Sequence, residues 1–324
     1  VDLGSVLGAE GSGLTAGRAG EARKEQLAFI GVGNMGSRMA RRLLAAGWSL
    51  RAYDQRREAL EALREAGARV ADSAAQAAEE ADFVFLSLPD PGTVREVVLG
   101  VGGVLDAMRP GTILVDFSTT DPGTARAVAA AAAARGIAAL DAPVSGGVEG
   151  AERGTLTIMV GGERHTYERV RHLLEHLGSR LVYVGPSGSG QVVKLCNNMA
   201  AAASMVAATE VLLTGMAHGL PLKLLVDVLQ SGTAQSWVLS YLGREAFQGG
   251  YEPGFALGLL RKDVELFLRM AEEARMTAPI CGLVVQVLRM AANMGYGNRD
   301  VAVLAEVYRS WNPSVTPSLS GGAP

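Results

Sequence analysis

From residue 27 the chain alternates short apolar runs with stretches of helical spacing. "LAFIGVG" precedes a helix over 35–46, "LRAY" one over 56–66, "FVFLSLP" one over 93–99, and "TILVDFS" one over 122–134. Short apolar strands separated by helices predict a parallel sheet covered on both faces. "IAALDAPV", "TLTIMVGG" and "LVYVGP" carry this α/β pattern to about residue 187. After "GPSGSGQ" the strand signals cease, and Ala, Leu, Met and Val recur at helical spacing until "SWNPS" at 310–314. The first of these stretches, 190–218, is long enough to traverse a domain. The pattern therefore predicts an α/β domain over 27–187 and an all-helical domain over 188–311. A flexible extension over 1–26 and a flexible tail over 312–324 flank them. Gly219-Leu220-Pro221 and Pro253-Gly254 fall where helices stop or start.

Composition narrows the partners. A chain of 324 residues with 48% hydrophobic content can bury the cores of two ordinary domains. Thirty basic residues against 33 acidic ones leave a charge of −3, without a long block of either sign. That balance gives no attraction to nucleic acid or anionic lipid, so a small molecule is the expected partner. No uninterrupted apolar run approaches the roughly 20 residues that cross a bilayer, so no membrane is expected. Cys196 and Cys281 form neither a Cys-x-x-Cys pair nor a disulfide framework, which suits a reducing compartment. Neither is an obvious nucleophile. The first 26 residues lack a basic start followed by an apolar core, so a cytoplasmic location is the reading. Arg18, Arg23 and Lys24 leave a mitochondrial leader open, and Asp2, Glu10, Glu21 and Glu25 argue against it.

Candidate chemistry begins at the first strand. "FIGVGNMG" sets Gly31, Gly33 and Gly36, with Val32, Asn34 and Met35 between them, in the spacing G-x-G-x-x-G after a strand and before a helix. Glycine serves there for a tight turn, close approach to a pyrophosphate, and close helix packing, with the phosphates at the positive helix end. The sheet domain is thus read as a Rossmann-type, doubly wound nucleotide-binding domain. Asp54 follows the second strand, where a carboxylate accepts the adenosine ribose hydroxyls and favours NAD. Gln55 and Arg56 adjoin it, and Arg56 or Arg57 could reach a 2′-phosphate, which keeps NADP open. Leu88, Pro89, Ser118 and Thr119 follow later strands at the carboxyl edge, as candidates for lining the nicotinamide side. Asp90 and Asp121 read as ordinary turn formers.

"QVVKLCNNMA", 191–200, places Lys194 and Asn198 four apart, hence on one face of a helix that is otherwise apolar. An ammonium or amine within reach of an alcohol can relay its proton as hydride leaves the same carbon. Burial lowers a lysine's pKa by disfavouring its charged form. Asn197 reads as a structural amide facing elsewhere. His172 and His176 lack the H-E-x-x-H pattern and a third ligand, and read as a solvated pair, so no metal is expected. Ser204 and Ser231 lack a local base.

In order along the chain, "FIGVGNMG", "LPD", "DAPVSGGVEGAERGTLTIMVGG", "GSGQVVKLCNN" and "LRKD" resemble the motifs of the β-hydroxyacid dehydrogenase family, on its 3-hydroxyisobutyrate dehydrogenase-like branch. The resemblance spans about 27 to 270 and implies Lys194 as catalytic acid/base, with Asn198 holding substrate and lysine. It implies that Ser145, Gly146 and Gly147 bind the substrate carboxylate, and that Lys262 and Asp263 stand near substrate and cofactor. Trp237 resembles the family's substrate-side aromatic; the spacing to Tyr241 leaves the outer pocket open.

The function expected is hydride transfer between NAD, or NADP, and a small 3-hydroxy acid. The rivals are reduction of tartronate or succinic semialdehyde with NADPH or NADH and, in another class, noncatalytic dinucleotide binding. A 6-phosphogluconate dehydrogenase is disfavoured by the short helical domain, and an imine reductase by the lysine at 194. The long alanine-rich helix favours assembly as a homodimer or homotetramer.

Overall fold

The computed structural model describes residues 25–245, 251 and 254–313. Most of the expected extension and tail, and Pro253, lie outside the described residues.

The sheet half runs β1 (Gln26–Ile30), α1 (Gly36–Ala45), β2 (Ser49–Tyr53), α2 (Glu58–Glu65), β3 (Arg69–Val70), α3 (Ala74–Ala78), β4 (Phe83–Leu86), α4 (Pro91–Leu99), α5 (Val104–Ala107), β5 (Ile113–Asp116) and α6 (Pro122–Ala133). It continues with β6 (Ala138–Asp141), β7 (Val144–Ser145), α7 (Gly147–Arg153), β8 (Thr157–Gly161), α8 (Arg164–Leu174) and β9 (Arg180–Gly185). The strand order is β3-β2-β1-β4-β5-β6-β8-β7, with β9 beside β8. Strands β1 to β6 pair in parallel. This is the doubly wound arrangement, and its direction reverses between β1 and β4, where the ligand crevice of such sheets lies. β1 begins one residue before the expected start, at Gln26, whose N–H donates to Asp82 Oδ2 at 2.8 Å.

The sheet is not parallel throughout. β8 runs antiparallel to β6 and β7, and β9 then pairs with β8 in parallel. The chain passes from β7 through α7 to β8, which runs antiparallel to both β7 and β6. Strands β4 and β5 are buried at every position because helices cover both faces. One core holds Phe117 stacked on Phe29 and Phe85, with α1 and α8. The opposite face packs Ile30, Val84, Leu86 and Leu114 under α3 to α6. Asp90 and Asp121 cap α4 and α6, accepting Thr93 N–H at 2.8 Å and Thr124 N–H at 2.7 Å, each before a proline. Both are the local turn residues expected.

The helical half holds α9 (Ser189–Ala217), α10 (Leu222–Ser231), α11 (Trp237–Glu245), α12 (Leu257–Glu273), α13 (Pro279–Ala291) and α14 (Leu304–Trp311). Its core gathers Leu212, Leu257, Leu260, Val264, Val285, Leu288 and Leu304 around α9. By length and average composition alone α9 could cross a bilayer, although polar residues interrupt its apolar runs. It is instead the central helix, packed on α12, α11, α13, α14 and β8, and it buries Lys194 and Asn198.

The start of α9 is fixed by tertiary contacts. Asp141, at the end of β6, accepts Gly188 N–H at 2.7 Å through Oδ1 and Gln191 N–H at 3.1 Å through Oδ2. A carboxylate there satisfies amides that a helix start leaves open and complements the helix dipole. A Cβ on Gly190 would stand 2.4 Å from the Met159 carbonyl oxygen and 2.8 Å from Asp141 Oδ2, so only glycine admits this close seating.

Candidate active site

The glycine loop leaves β1 at the switch point and enters α1. Gly31 has φ +85°, and a Cβ there would meet the Ser87 carbonyl oxygen at 2.4 Å; one on Gly36 would meet the Gly31 carbonyl oxygen at 2.0 Å. At Gly33 only the Arg56 guanidinium, at 3.3 Å, approaches the corresponding position. Two glycines are thus needed for packing, and the third keeps the loop surface open, as a pyrophosphate requires. Val32 is buried, Asn34 is exposed and Met35 half-buried.

Asp54 Oδ2 accepts Val32 N–H at 2.8 Å, and Oδ1 accepts Arg56 N–H at 2.9 Å. The carboxylate is thereby aimed along the glycine loop, and each oxygen retains acceptor capacity for ribose hydroxyls. Arg56 Nε stands 3.4 Å from Asp54 Oδ1 with the side chain mostly exposed; Gln55 is exposed beside it. These residues fit a dinucleotide. On the other side of the switch point, Leu88 N–H donates to Ser118 Oγ at 2.8 Å, which ties the loop after β4, with exposed Pro89, to the loop after β5.

The helical half meets that loop directly. Lys262, on α12, donates from Nζ to the Thr119 carbonyl at 2.8 Å and lies 3.0 Å from Asp263 Oδ1. Asn198 donates from Nδ2 to Asp263 Oδ2 at 2.6 Å and accepts Asn197 Nδ2 at 3.0 Å. Asn197 is exposed, in keeping with an amide that faces away from the buried line of Lys194 and Asn198, and its Nδ2 reaches back to Asn198 Oδ1. Lys194, one turn before Asn198, is only 9% exposed. Burial pushes its pKa down to about 8; the Asp263 carboxylate pulls upward and the Lys262 ammonium pushes further down.

Two buried carboxylates lie beneath this cluster. Asp116 and Asp141 are register partners at the ends of β5 and β6. Asp116 accepts Ser118 N–H at 2.9 Å, and burial raises its pKa to about 7, with Asp141 adding to the rise and Lys262 opposing it. Burial also raises Asp141, against the amides that favour its charge. Gln191 is fully buried and bonds the loop after β5 at two points. Asp116, Asp141 and Gln191 were not among the sequence candidates. The sequence marks strand ends and a helix start, but cross-strand register and side-chain direction emerge only on folding.

Ser145 lies at the end of β7, and Gly146 (φ 129°) and Gly147 (φ 64°) turn the chain into α7 with their backbone exposed. Positive φ at both positions favours glycine, and both residues lie at the surface. Trp237 stands outside the Lys194 network: it opens α11, is 66% exposed and stacks on Tyr241 at 4.8 Å between centroids. The Tyr241 hydroxyl donates to Asp300 Oδ1 at 2.6 Å. His172 is exposed, as expected, and its ring also packs against Trp48 and Phe83. Among the described residues no group of three or more His, Cys, Asp or Glu could hold a metal ion.

Comparison with known proteins agrees with this geometry. Residues 26–185 match the family model described as the NAD binding domain of 6-phosphogluconate dehydrogenase. Residues 188–308 match that described as NAD-binding of NADP-dependent 3-hydroxyisobutyrate dehydrogenase. The chain is 37% identical over 291 residues to a Pseudomonas aeruginosa NAD-dependent L-serine dehydrogenase, covering 88% of this chain and 98% of the relative. It is 35% identical over 299 residues to the mitochondrial 3-hydroxyisobutyrate dehydrogenase of Mus musculus, covering 90% and 89%. The structure of a Mycobacterium tuberculosis 3-hydroxyisobutyrate dehydrogenase with L-serine superimposes with a TM-score of 0.80 at 33% identity, over 88% of this chain and 99% of that one. Two family models that together span nearly the whole described chain, and relatives above 30% identity covered along most of their length, have one consistent reading: the protein belongs to the β-hydroxyacid dehydrogenase family and is an NAD(P)-dependent 3-hydroxyacid dehydrogenase.

Proposed function

We propose that the enzyme acts on a small 3-hydroxy acid of the 3-hydroxyisobutyrate or L-serine type, with Lys194 as general acid/base and NAD preferred. The observation that carries this reading is the burial of Lys194, which brings its pKa to about 8 one helical turn from an asparagine held by Asp263. NAD(P), when bound, accepts or returns the hydride. The loop from Gly31 to Gly36, open at Gly33, would hold its pyrophosphate, and Asp54 its adenosine ribose. During oxidation the neutral Lys194 Nζ takes the hydroxyl proton; during reduction the ammonium donates it to the developing alkoxide. Asn198, fixed by its bond to Asp263, orients the substrate beside that nitrogen. Lys262 holds the loop after β5 through the Thr119 carbonyl. The Gly146 and Gly147 amides and the Ser145 hydroxyl receive the substrate carboxylate, which selects an acid over a simple alcohol. Trp237, exposed and stacked on Tyr241, is not placed at the Lys194 site and takes no part in this reading.

Sequence relationship supports the substrate class: the relatives named above are dehydrogenases of L-serine and of 3-hydroxyisobutyrate. The sheet residues 27–187 hold the cofactor, and residues 188–311 supply the acid/base and the surface for a homodimer or homotetramer. The deciding experiment follows NAD(P)H absorbance with NAD and NADP in parallel, against 3-hydroxyisobutyrate, L-serine, glycerate, 4-hydroxybutyrate and 6-phosphogluconate. A dominant rate with NAD and a 3-hydroxy acid is expected. Silence across the panel with cofactor binding intact would overturn the substrate assignment.

A further inference from the structure

Gln191 uses both ends of its amide on one short piece of backbone. Its Oε1 accepts Thr120 N–H at 3.0 Å, and its Nε2 donates to the Ser118 carbonyl at 2.9 Å. The side chain is 0% exposed, as is Thr120, and Ser118 is 3% exposed. The residue between the two contacts, Thr119, gives its carbonyl to Lys262 at 2.8 Å. The loop after β5 is therefore bound at three consecutive residues by side chains of the helical half. On its other side Ser118 Oγ receives Leu88 N–H at 2.8 Å, so the loop after β4 is held through it.

Gln191 also sits three residues before Lys194, which places both on one face of α9, about 4.5 Å apart along its axis. Its own N–H is bound by Asp141 at the end of β6. One residue thus joins the sheet, the loop after β5 and the first turn of the lysine-bearing helix. We infer that Gln191 is a positioning residue: through the Ser118–Thr120 backbone it sets the distance between the cofactor-side wall of the crevice and the Lys194 amine. The inference rests on the reading of Lys194 as the acid/base. Proton and hydride transfer both depend steeply on reacting-atom distance, and a displacement of roughly 1 Å can cost about a hundredfold in rate. Gln191 performs this role without touching substrate or cofactor.

The amide's two ends can be separated by substitution. Gln191→Glu keeps an acceptor for Thr120 N–H and sets a second acceptor against the Ser118 carbonyl. Gln191→Met keeps the length and removes both bonds. Each full-length variant is compared with the unsubstituted enzyme in two ways. The first is kcat, KM and the deuterium isotope effect on hydride transfer, alongside an NADH titration as a measure of folded cofactor site. The second is hydrogen exchange of the peptide covering 117–121, with β5 as the internal reference. The expected result is a fall in kcat of about 10- to 100-fold with a larger isotope effect, NADH affinity within about twofold, and faster exchange confined to the loop. Gln191→Met should be the more severe. A kcat within about twofold and an unchanged isotope effect in a variant that binds NADH would overturn the inference, as would unchanged loop exchange. Failure of the unsubstituted enzyme on every hydroxy acid would count against the proposed function instead; the exchange comparison then decides the role of Gln191 by itself.

Discussion

Asn198 Nδ2 and Asp263 Oδ2 stand 2.6 Å apart, both side chains at least 95% buried, and this contact joins α9 to α12 one turn beyond Lys194. The Lys262 ammonium approaches the other Asp263 oxygen at 3.0 Å. Asp263 therefore serves two neighbours at once: it holds the amide and supplies the negative charge that opposes the burial of Lys194.

Removing that charge while keeping the shape should move the Lys194 titration. In Asp263→Asn the upward pull on Lys194 is lost while burial and the Lys262 charge remain, so its pKa falls below about 8. The pH profile of alcohol oxidation should shift to lower pH relative to the unsubstituted enzyme. A profile that keeps its midpoint, with reduced amplitude only, would deny the coupling.

The same group sets opposite profiles for the two directions. Oxidation needs the neutral amine, so kcat/KM should rise with pH through about 8 and then level. Reduction needs the ammonium and should fall across the same interval. Parallel profiles in both directions, measured with saturating cofactor, would assign the titration to another group.

Much of this architecture is legible in the chain itself. Strong apolar strands followed by glycine, or by Asp and proline, give the sheet and its carboxyl-edge loops, because strand, turn and cap each need particular residues locally. Lys194 and Asn198 stand out as polar groups on one line of an apolar helix. α3, α5 and α7 have too few residues to display a period, and α3 is mostly alanine, so their signal is weak. The antiparallel return at β8 is a matter of which strands pair and in which direction, which an apolar run does not encode. Gln191 and the Asp116–Asp141 pair depend on which way side chains point after folding, and no local pattern carries that. Trp237 matches a motif, yet its ring is exposed, because its surroundings are set by the seating of α11.

Cofactor choice turns on Asp54 and Arg56. Asp54 faces along the glycine loop and its charge repels a 2′-phosphate, while the exposed Arg56 guanidinium beside it could meet one. Asp54→Ser should therefore raise the NADP:NAD ratio of kcat/KM, by about tenfold or more, and Arg56→Ala in that background should reverse part of the gain. Steady-state rates with both cofactors check this. An unchanged ratio in Asp54→Ser would remove the carboxylate from cofactor discrimination.

Asp116 should leave a signature in stability against pH. Burial raises its pKa to about 7, so between about pH 4 and 7 the folded chain retains a proton that the unfolded chain has lost. This group's contribution therefore makes stability fall as pH rises through that window and stay level above it. Asp116→Asn keeps an oxygen for the Ser118 N–H and removes the titration. Urea unfolding at about pH 5 and pH 8 should show a smaller decline in the variant, with about 3 kcal/mol as the ceiling of the difference over that interval. Identical slopes in the two proteins would show that Asp116 ionises without cost.

The buried lysine should oppose stability where it serves turnover. At pH 7 the unfolded chain carries Lys194 charged in water, and the folded chain carries the same charge at a buried site. A pKa lowered from 10.5 to about 8 makes that burial unfavourable by a few kcal/mol, on the order of 3. Lys194→Met, close in length and apolar, should stabilise the fold by about 1–3 kcal/mol near pH 7, the lower end reflecting Asp263 left with Lys262 alone. As pH rises from about 8 to above 10, the unsubstituted protein regains this stability and the advantage of the methionine disappears. Turnover should fall by at least about a hundredfold while NADH titration is nearly unchanged, because the lysine contributes to proton transfer rather than to dinucleotide binding. Denaturant unfolding across that pH range, with rates and NADH affinity measured on the same preparations, separates these effects. A variant that loses turnover and NADH binding together would place Lys194 in the cofactor site instead.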